Sequence, residues 1–254
     1  MNSGTVLGGI AALLIAGGGA VGAGLLVQRY VPLEQRQENN DVAGLVFAII
    51  GVLYAILLTF VTISVWEGAD GAQASSRNEA RAVLELRRYA TTLPDPERAE
   101  LRELTERYVD VVVRREWPNM AKGKPVPPEG AGVLEDMWRV VDGRDPADEA
   151  GVARQSEARE TLRELTTARD ERLAAIDAGL PSVIWLALIA GSVIALANAL
   201  MFGVRGKGEY LAIIAMLAAM STLVLYAVYQ LEYPYERGER VGPTVFQEVV
   251  TPST

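Results

Sequence analysis

The 254-residue chain contains no cysteine and no histidine. The absence of cysteine excludes disulfide bonds, a thiolate nucleophile and thiolate-bound iron–sulfur clusters. The absence of histidine removes the commonest general base and the commonest zinc ligand. The sequence also lacks a phosphate-binding loop, a serine-nucleophile motif and a cluster of metal-ligand residues. We therefore expect a protein that is not an enzyme and that binds no cofactor or metal ion.

Charge is absent from four long apolar segments. These segments are Thr5–Val27, Ala43–Trp66, Val183–Val204 and Tyr210–Leu231. Each is about 22 residues or longer, which as a helix crosses the ~30 Å hydrocarbon core of a bilayer. The chain is therefore predicted to be an integral membrane protein that is embedded in the lipid bilayer. Coupled transporters and proton relays usually place charged residues inside their spans, so the absence of such residues argues against those classes.

Most of the charged residues lie between the second and third apolar segments. The chain carries a net charge of −8 at pH 7, and this acidic balance argues against nucleic-acid binding, which requires a basic patch. Because no segment of the insert alternates with the period of a strand, the insert is predicted to be helical. The predicted fold is therefore all-α, a four-helix transmembrane bundle with a helical soluble insert between spans two and three.

This pattern predicts four regions along the chain. Residues 1–66 hold transmembrane helices one and two, 67–182 form the soluble insert, 183–233 hold helices three and four, and 234–254 form a C-terminal tail.

Three motifs predict helix starts. Asn40-Asp41 lies near the end of a polar loop, Gln28–Val42, and is a good N-cap pair for span two. Within the insert, Ser76-Arg77-Asn78-Glu79 fits a capping box. Asp145-Pro146 fits the start of a later, highly charged helix.

Span two carries a stripe of small residues. The stripe consists of Gly44, Ala48, Gly51, Ala55, Thr59 and Thr62. Every step is three or four residues, so all six lie on one helix face, which is either a packing seam or the wall of a pore. Hydroxyl groups and aromatic rings can line an uncharged ion path. Tyr54 lies elsewhere on the same helix, and the pore-lining candidates are therefore Gly51, Tyr54, Ala55, Thr59 and Thr62.

Two other features concern contacts between helices. Span one contains Gly4-x-x-x-Gly8 and Gly18-x-x-x-Gly22, which permit close approach either to another subunit or to another span of the same chain. Asn198 is the most polar residue within the body of any span. Its amide is predicted to hydrogen-bond across helices, or alternatively to line a wet cavity.

Four spans put both termini and the insert on the same side of the membrane. Arginines flank the spans more often on the insert side than on the other side, and the positive-inside rule then favours a cytoplasmic insert and cytoplasmic termini. The expected location is a bacterial inner membrane or a plasma membrane.

Three blocks of residues resemble a bacterial family described as bestrophin-like and otherwise of unknown function. The first block comprises Asn40–Gly44, Phe47-Ala48, Gly51–Ala55 and Val65-Trp66-Glu67; the second comprises Arg169, Arg172-Leu173, Gly179-Leu180-Pro181 and Trp185; the third comprises Leu231–Tyr235 with Gly238, Val241, Pro243 and Phe246. At Glu232 and Tyr235 the family more often has Asp and Phe. The resemblance covers about Asn40 to Phe246.

The resemblance implies a ring-shaped homo-oligomer, with a pentamer favoured, in which span two lines a pore. Bestrophins are anion channels, so the function implied is a channel-like protein that passes anions such as chloride. The alternative is a non-conducting membrane scaffold or sensor whose soluble insert binds a protein partner.

Overall fold

The computed structural model describes residues 3–177, 179–237 and 241–246, and within them every regular element is a helix. The helices are α1 (Ser3–Tyr30), α2 (Leu33–Glu38), α3 (Asn40–Ala90), α4 (Glu97–Val111), a π-helical turn (Val112–Glu116), α5 (Trp117–Met120), α6 (Glu129–Asp142), α7 (Glu149–Ala174), α8 (Ser182–Leu200) and α9 (Lys207–Leu231). Four of them, α1, α3, α8 and α9, are long and apolar enough to cross a membrane. The predicted all-α fold with four apolar helices and a helical insert is confirmed.

The chain divides into two compact units. The first comprises Met1–Glu67 and Gly179–Glu232, and the second comprises Gly68–Ala178 and Tyr233–Thr254. The first unit therefore holds the apolar helices, and the second holds the charged helices of the insert together with the described residues after Glu232.

Aromatic residues on α9 pack against glycines of α1 in the first unit. The hydroxyl of Tyr226 donates a hydrogen bond to the carbonyl oxygen of Thr5 at 2.6 Å. A Cβ atom on Gly8 would lie 2.9 Å from that hydroxyl, whereas a Cβ atom on Gly18 or Gly22 would meet nothing within 4 Å. Of the glycines in the two motifs of span one, Gly8 therefore serves a contact within the chain, while Gly18 and Gly22 face open space in a single chain.

Helices α3 and α8 approach closely at Gly191. The hydroxyl of Tyr54 donates to the carbonyl oxygen of Leu188 at 3.0 Å. A Cβ atom at Gly191 would lie only 2.5 Å from Cδ2 of Tyr54. The missing side chain at Gly191 thus makes room for the tyrosine ring.

The segment predicted as a loop, Gln28–Val42, instead contains the short helix α2, so that prediction was wrong. The predicted N-cap role of Asn40 was also wrong. Its side chain accepts a hydrogen bond from the amide of Gly203 at 2.8 Å and donates to the carbonyl of Gly203 at 3.2 Å. A partner distant in sequence therefore uses both ends of the amide group that would have capped the helix.

The second unit has a continuous apolar core. Its fully buried members include Leu86, Leu101, Met137, Leu162 and Leu165, which come from α3, α4, α6 and α7. The described part of the predicted C-terminal tail also belongs to this core, because Tyr235 and Phe246 are buried and both pack against Trp117.

The helix starts predicted at Ser76 and at Asp145-Pro146 were wrong. No proline interrupts the chain between the second span and Ser76, and α3 continues without a break from Asn40 to Ala90. The hydroxyl of Ser76 accordingly donates to the carbonyl of Ala72, one turn back, instead of capping a new helix. The later helix starts at Glu149, where a carboxylate oxygen of its N-cap residue Asp148 accepts the amide hydrogen of Gly151 at 2.7 Å.

Substitution of Gly191 tests the contact between α3 and α8. In Gly191→Ala the new methyl group would overlap the ring of Tyr54, so we expect the thermal midpoint in detergent to fall by an amount that corresponds to about 1–3 kcal/mol of overpacking. The matched control is Gly208→Ala, because a Cβ atom there meets nothing within 4 Å. Equal midpoints for the two variants would contradict the close approach.

Candidate functional site

The pore-lining candidates of α3 differ in how exposed their side chains are in a single chain. Ala55 and Thr59 are exposed, and Gly51 and Thr62 are half-buried. Tyr54 is also half-buried and its ring lies against α8. The hydroxyl of Thr59 donates to the carbonyl of Ala55 at 2.8 Å, so its proton is bound within its own helix. The role of these five residues in a pore stays a prediction.

Asn198 lies half-buried in α8. Its side-chain oxygen is buried and has no hydrogen-bond partner within the part of the chain that the structure describes. A buried amide oxygen without a donor is costly, so a donor from outside the single chain would stabilise it. The predicted interhelical role of Asn198 therefore remains a prediction.

A second set of polar residues is packed together inside the insert. We call Glu79, Glu116, Arg169, Arg172 and Tyr108 the buried charge cluster, because each is at most 4 % exposed. Arg172 donates to Glu79 through Nε at 2.5 Å and through Nη2 at 2.9 Å. It also donates from Nη2 to Glu116 at 2.7 Å. The two guanidinium groups and two carboxylates balance in formal charge.

The remaining hydrogen bonds close this network. Arg169 donates two hydrogen bonds to Glu116, at 3.0 and 2.7 Å. Tyr108 donates to Oε1 of Glu79 at 2.7 Å. Each carboxylate oxygen thus has at least one donor, as buried charges require.

Four helical segments supply the members of the cluster. Glu79 comes from α3, Tyr108 from α4, Glu116 from the last position of the π-helical turn, and the two arginines from α7. Gly130 on α6 leaves room for the network, because a Cβ atom there would lie 2.2 Å from Oε1 of Glu116. The cluster therefore depends on a local change of helical twist at residues 112–116 and on one missing side chain.

The electrostatics of the cluster favour the ionised arginines. Burial alone lowers the pKa of Arg172, but the adjacent charge of Glu79 and its hydrogen bonds outweigh that effect, and the net pKa is raised. Burial raises the pKa of Tyr108 well above its ordinary value, and the charge of Glu79 raises it further. The cluster is consequently held as two ion pairs with a neutral phenol at neutral pH.

The buried charge cluster has a structural role. Its donors and acceptors bind one another, and the arginines also lie over aromatic rings, with Arg172 5.3 Å from the ring centre of Trp117. Among the described residues no group of three or more acidic side chains could hold a metal ion. The arrangement therefore fixes four helical segments against one another.

A sequence profile of the bestrophin-like domain matches residues 14–246, which is most of the chain. The chain belongs to the bestrophin-like family. It is a multi-pass membrane protein, since four apolar helices accompany that match.

A crystal structure described as that of a membrane protein has a similar fold, with a TM-score of 0.62 over 98 % of each chain and 13 % sequence identity. At this identity the likeness concerns the fold alone. No curated protein matches the chain in a sequence comparison.

Residues that carry the bestrophin-like resemblance make long-range contacts within each unit. In the first unit, Glu232 accepts the amide hydrogen of Leu180 at 3.0 Å and the indole hydrogen of Trp185 at 2.9 Å. In the second unit, Arg169 and Arg172 belong to the buried charge cluster. The resembling blocks therefore coincide with packed polar contacts, although the blocks themselves are far apart in sequence.

Sequence reasoning missed Glu79, Tyr108 and Glu116 as members of a common site. A signal was present on α7, because Leu162, Leu165, Arg169 and Arg172 follow one another at steps of three or four residues. Two arginines that continue an apolar stripe lie on the buried face and require buried acidic partners. The identity of those partners could not be read from the sequence.

Removal of one carboxylate tests the charge balance of the cluster. Glu116→Gln leaves two buried guanidinium groups facing one acid, and we expect the free energy of unfolding to fall by about 3–5 kcal/mol. Urea denaturation in detergent measures this loss. Glu103→Gln on the exposed face of α4 is the control, and it should change stability by less than about 0.5 kcal/mol. Similar stabilities for the two variants would rule out the cluster as a stabilising element.

Because the pKa of Tyr108 is raised in the folded protein, we expect the free energy of unfolding to fall at high pH. Its folded pKa lies above the unfolded value of about 10, so its contribution is complete below that value and is lost as the pH rises towards the folded pKa. Tyr108→Phe should therefore lose less stability than the wild type as the pH rises above about 10. Denaturation midpoints across this range measure the two slopes, and parallel slopes would refute the prediction.

Proposed function

We propose that the protein is a homo-oligomeric, channel-like membrane protein in which α3 lines a path for small anions such as chloride. Membership of the bestrophin-like family supports a channel over an enzyme. The uncharged spans fit passive conduction, because ion-coupled transport usually needs charged residues within the membrane.

The observation that carries the proposal is the small-residue face of α3, on which half of the six residues are exposed. Only 6 % of the most apolar window of this helix is buried within the chain. Ala48, Ala55 and Thr59 on the small-residue face are exposed. Lipid tails need no small residues, whereas close approach of protein helices does, so this face suits an axis shared between copies.

A ring of copies is required because one chain supplies a single α3 to the proposed axis. Closed rotational symmetry would place the same α3 face of every copy around the axis, and we propose five copies. The proposed location is a bacterial inner membrane or a plasma membrane, with the insert and both termini in the cytoplasm, as the distribution of arginines favours.

Chloride flux from proteoliposomes tests the proposal. Wild-type protein should release trapped chloride, and Thr59→Trp should reduce the flux by roughly tenfold or more because the indole would fill the proposed path. Leu53→Trp is the matched control, because Leu53 is 65 % exposed on another face of the same helix. Mass photometry of the same samples should give five chains per particle. Well-folded oligomers in tight liposomes would argue for a non-conducting protein.

A non-conducting scaffold or sensor is the second candidate function. Two grooves on the second unit support it, with volumes of about 420 and 400 Å³, lined by charged residues of α3 and α7. Arg81 and Glu164 line the first groove, and Arg88 and Glu157 line the second. Mixed charge of this kind suits a polar protein partner. This function would be favoured if the proteoliposomes retained chloride and a captured protein partner covered these grooves.

A further inference from the structure

Arg36 is a buried cation without an acidic partner in the described part of the chain. The residue is 5 % exposed, and it forms none of the ion pairs found among the described residues. Its neighbours in sequence, Glu34 and Glu38, are exposed. A buried charge is strongly disfavoured unless an opposite charge or several hydrogen bonds compensate it.

The contacts that Arg36 does make are weaker than an ion pair. Its Nη1 donates to the carbonyl of Phe202 at 3.2 Å, and its guanidinium carbon lies 5.3 Å from the ring centre of Tyr210. Its Nε is buried and has no hydrogen-bond partner among the described residues. Arg36 also interacts with the hydroxyl of Tyr210. A carbonyl, an aromatic face and a hydroxyl carry partial charges only, so the full charge of the guanidinium is not compensated within the described residues.

An apolar cavity adjoins the same two partners. It has a volume of about 300 Å³, and Phe202 and Tyr210 both line it together with Phe47, Ile213 and Ile214. This volume is at the lower end of those that hold small ligands. Ile213 is 48 % exposed on the membrane-spanning helix α9, so the cavity opens on a surface that lipid tails cover. The hairpin next to it carries two exposed cations, Arg205 and Lys207.

We propose that Arg36 and this cavity form a binding site for one anionic phospholipid of the surrounding bilayer. An acyl chain occupies the cavity, and the headgroup phosphate pairs with the guanidinium of Arg36. The apolar lining excludes a free inorganic anion from the cavity itself, whereas a lipid supplies an apolar chain and a charge on one molecule. Phospholipid headgroups lie at the ends of the spans, where α2 and the hairpin also lie in sequence. This site does not depend on whether the protein conducts ions.

Nanodiscs that differ only in lipid headgroup test the site. Wild-type protein should have a higher thermal midpoint in phosphatidylglycerol than in phosphatidylcholine with the same acyl chains, and Arg36→Gln should lose most of that difference. Arg29→Gln is the matched control, because it removes the same charge from an exposed position near the same chain turn. An equal loss in both variants would indicate general surface electrostatics and overturn the proposal.

A second variant tests the cavity while Arg36 is retained, which matters if Arg36→Gln does not fold. Ile213→Trp should fill the mouth of the cavity and reduce the phosphatidylglycerol retained in native mass spectra by at least half. Met216→Trp, on an exposed position of the same helix that does not line the cavity, should retain the wild-type amount. The absence of retained phosphatidylglycerol in the wild type, or retention of added fatty acid in its place, would overturn the proposal.

Discussion

Hydrocarbon offers no hydrogen-bond partner to a peptide group or to a charge, and this constraint governs how residues are distributed along the chain. Within the bilayer each backbone group must be satisfied inside its own segment, so the apolar stretches are helices. The glycines of α1 do not prevent this, because an alternative without internal hydrogen bonds would be far more costly in lipid. The same constraint leaves the exposed surfaces of the first unit apolar, as Leu14, Ile15 and Leu53 illustrate.

Charged side chains that are buried inside the insert also lose their hydrogen bonds to water. They replace those bonds by pairing with one another. Arg172 makes three hydrogen bonds to two carboxylates, and Glu116 in turn binds Arg169. Such a network gives less stability than an equally well-packed apolar core would, but loss of one member leaves a buried charge unpaired. Removing one member of the cluster therefore costs more stability than the intact cluster adds.

Arg36 in the first unit provides a contrast with this cluster. In the insert every buried guanidinium group has carboxylates beside it, whereas Arg36 has a carbonyl and an aromatic ring. Buried arginines are therefore paired with carboxylates of the same chain in the second unit, whereas the buried arginine of the first unit is only partly compensated by the described residues. Arg36 lies in sequence between two membrane spans, and its contacts Phe202 and Tyr210 line an apolar cavity. An anionic group from another molecule would compensate its charge there.

The sequence by itself determined the four spans, the all-α class and the family, because length, hydropathy and short motifs are local properties. Tertiary structure decided where Glu79 and Asn40 bond, since each can satisfy a local capping pattern but bonds a residue distant in sequence instead. A capping motif states only which hydrogen bonds are possible. Which one forms depends on partners such as Arg172 and Gly203, which folding brings close from more than 90 residues away.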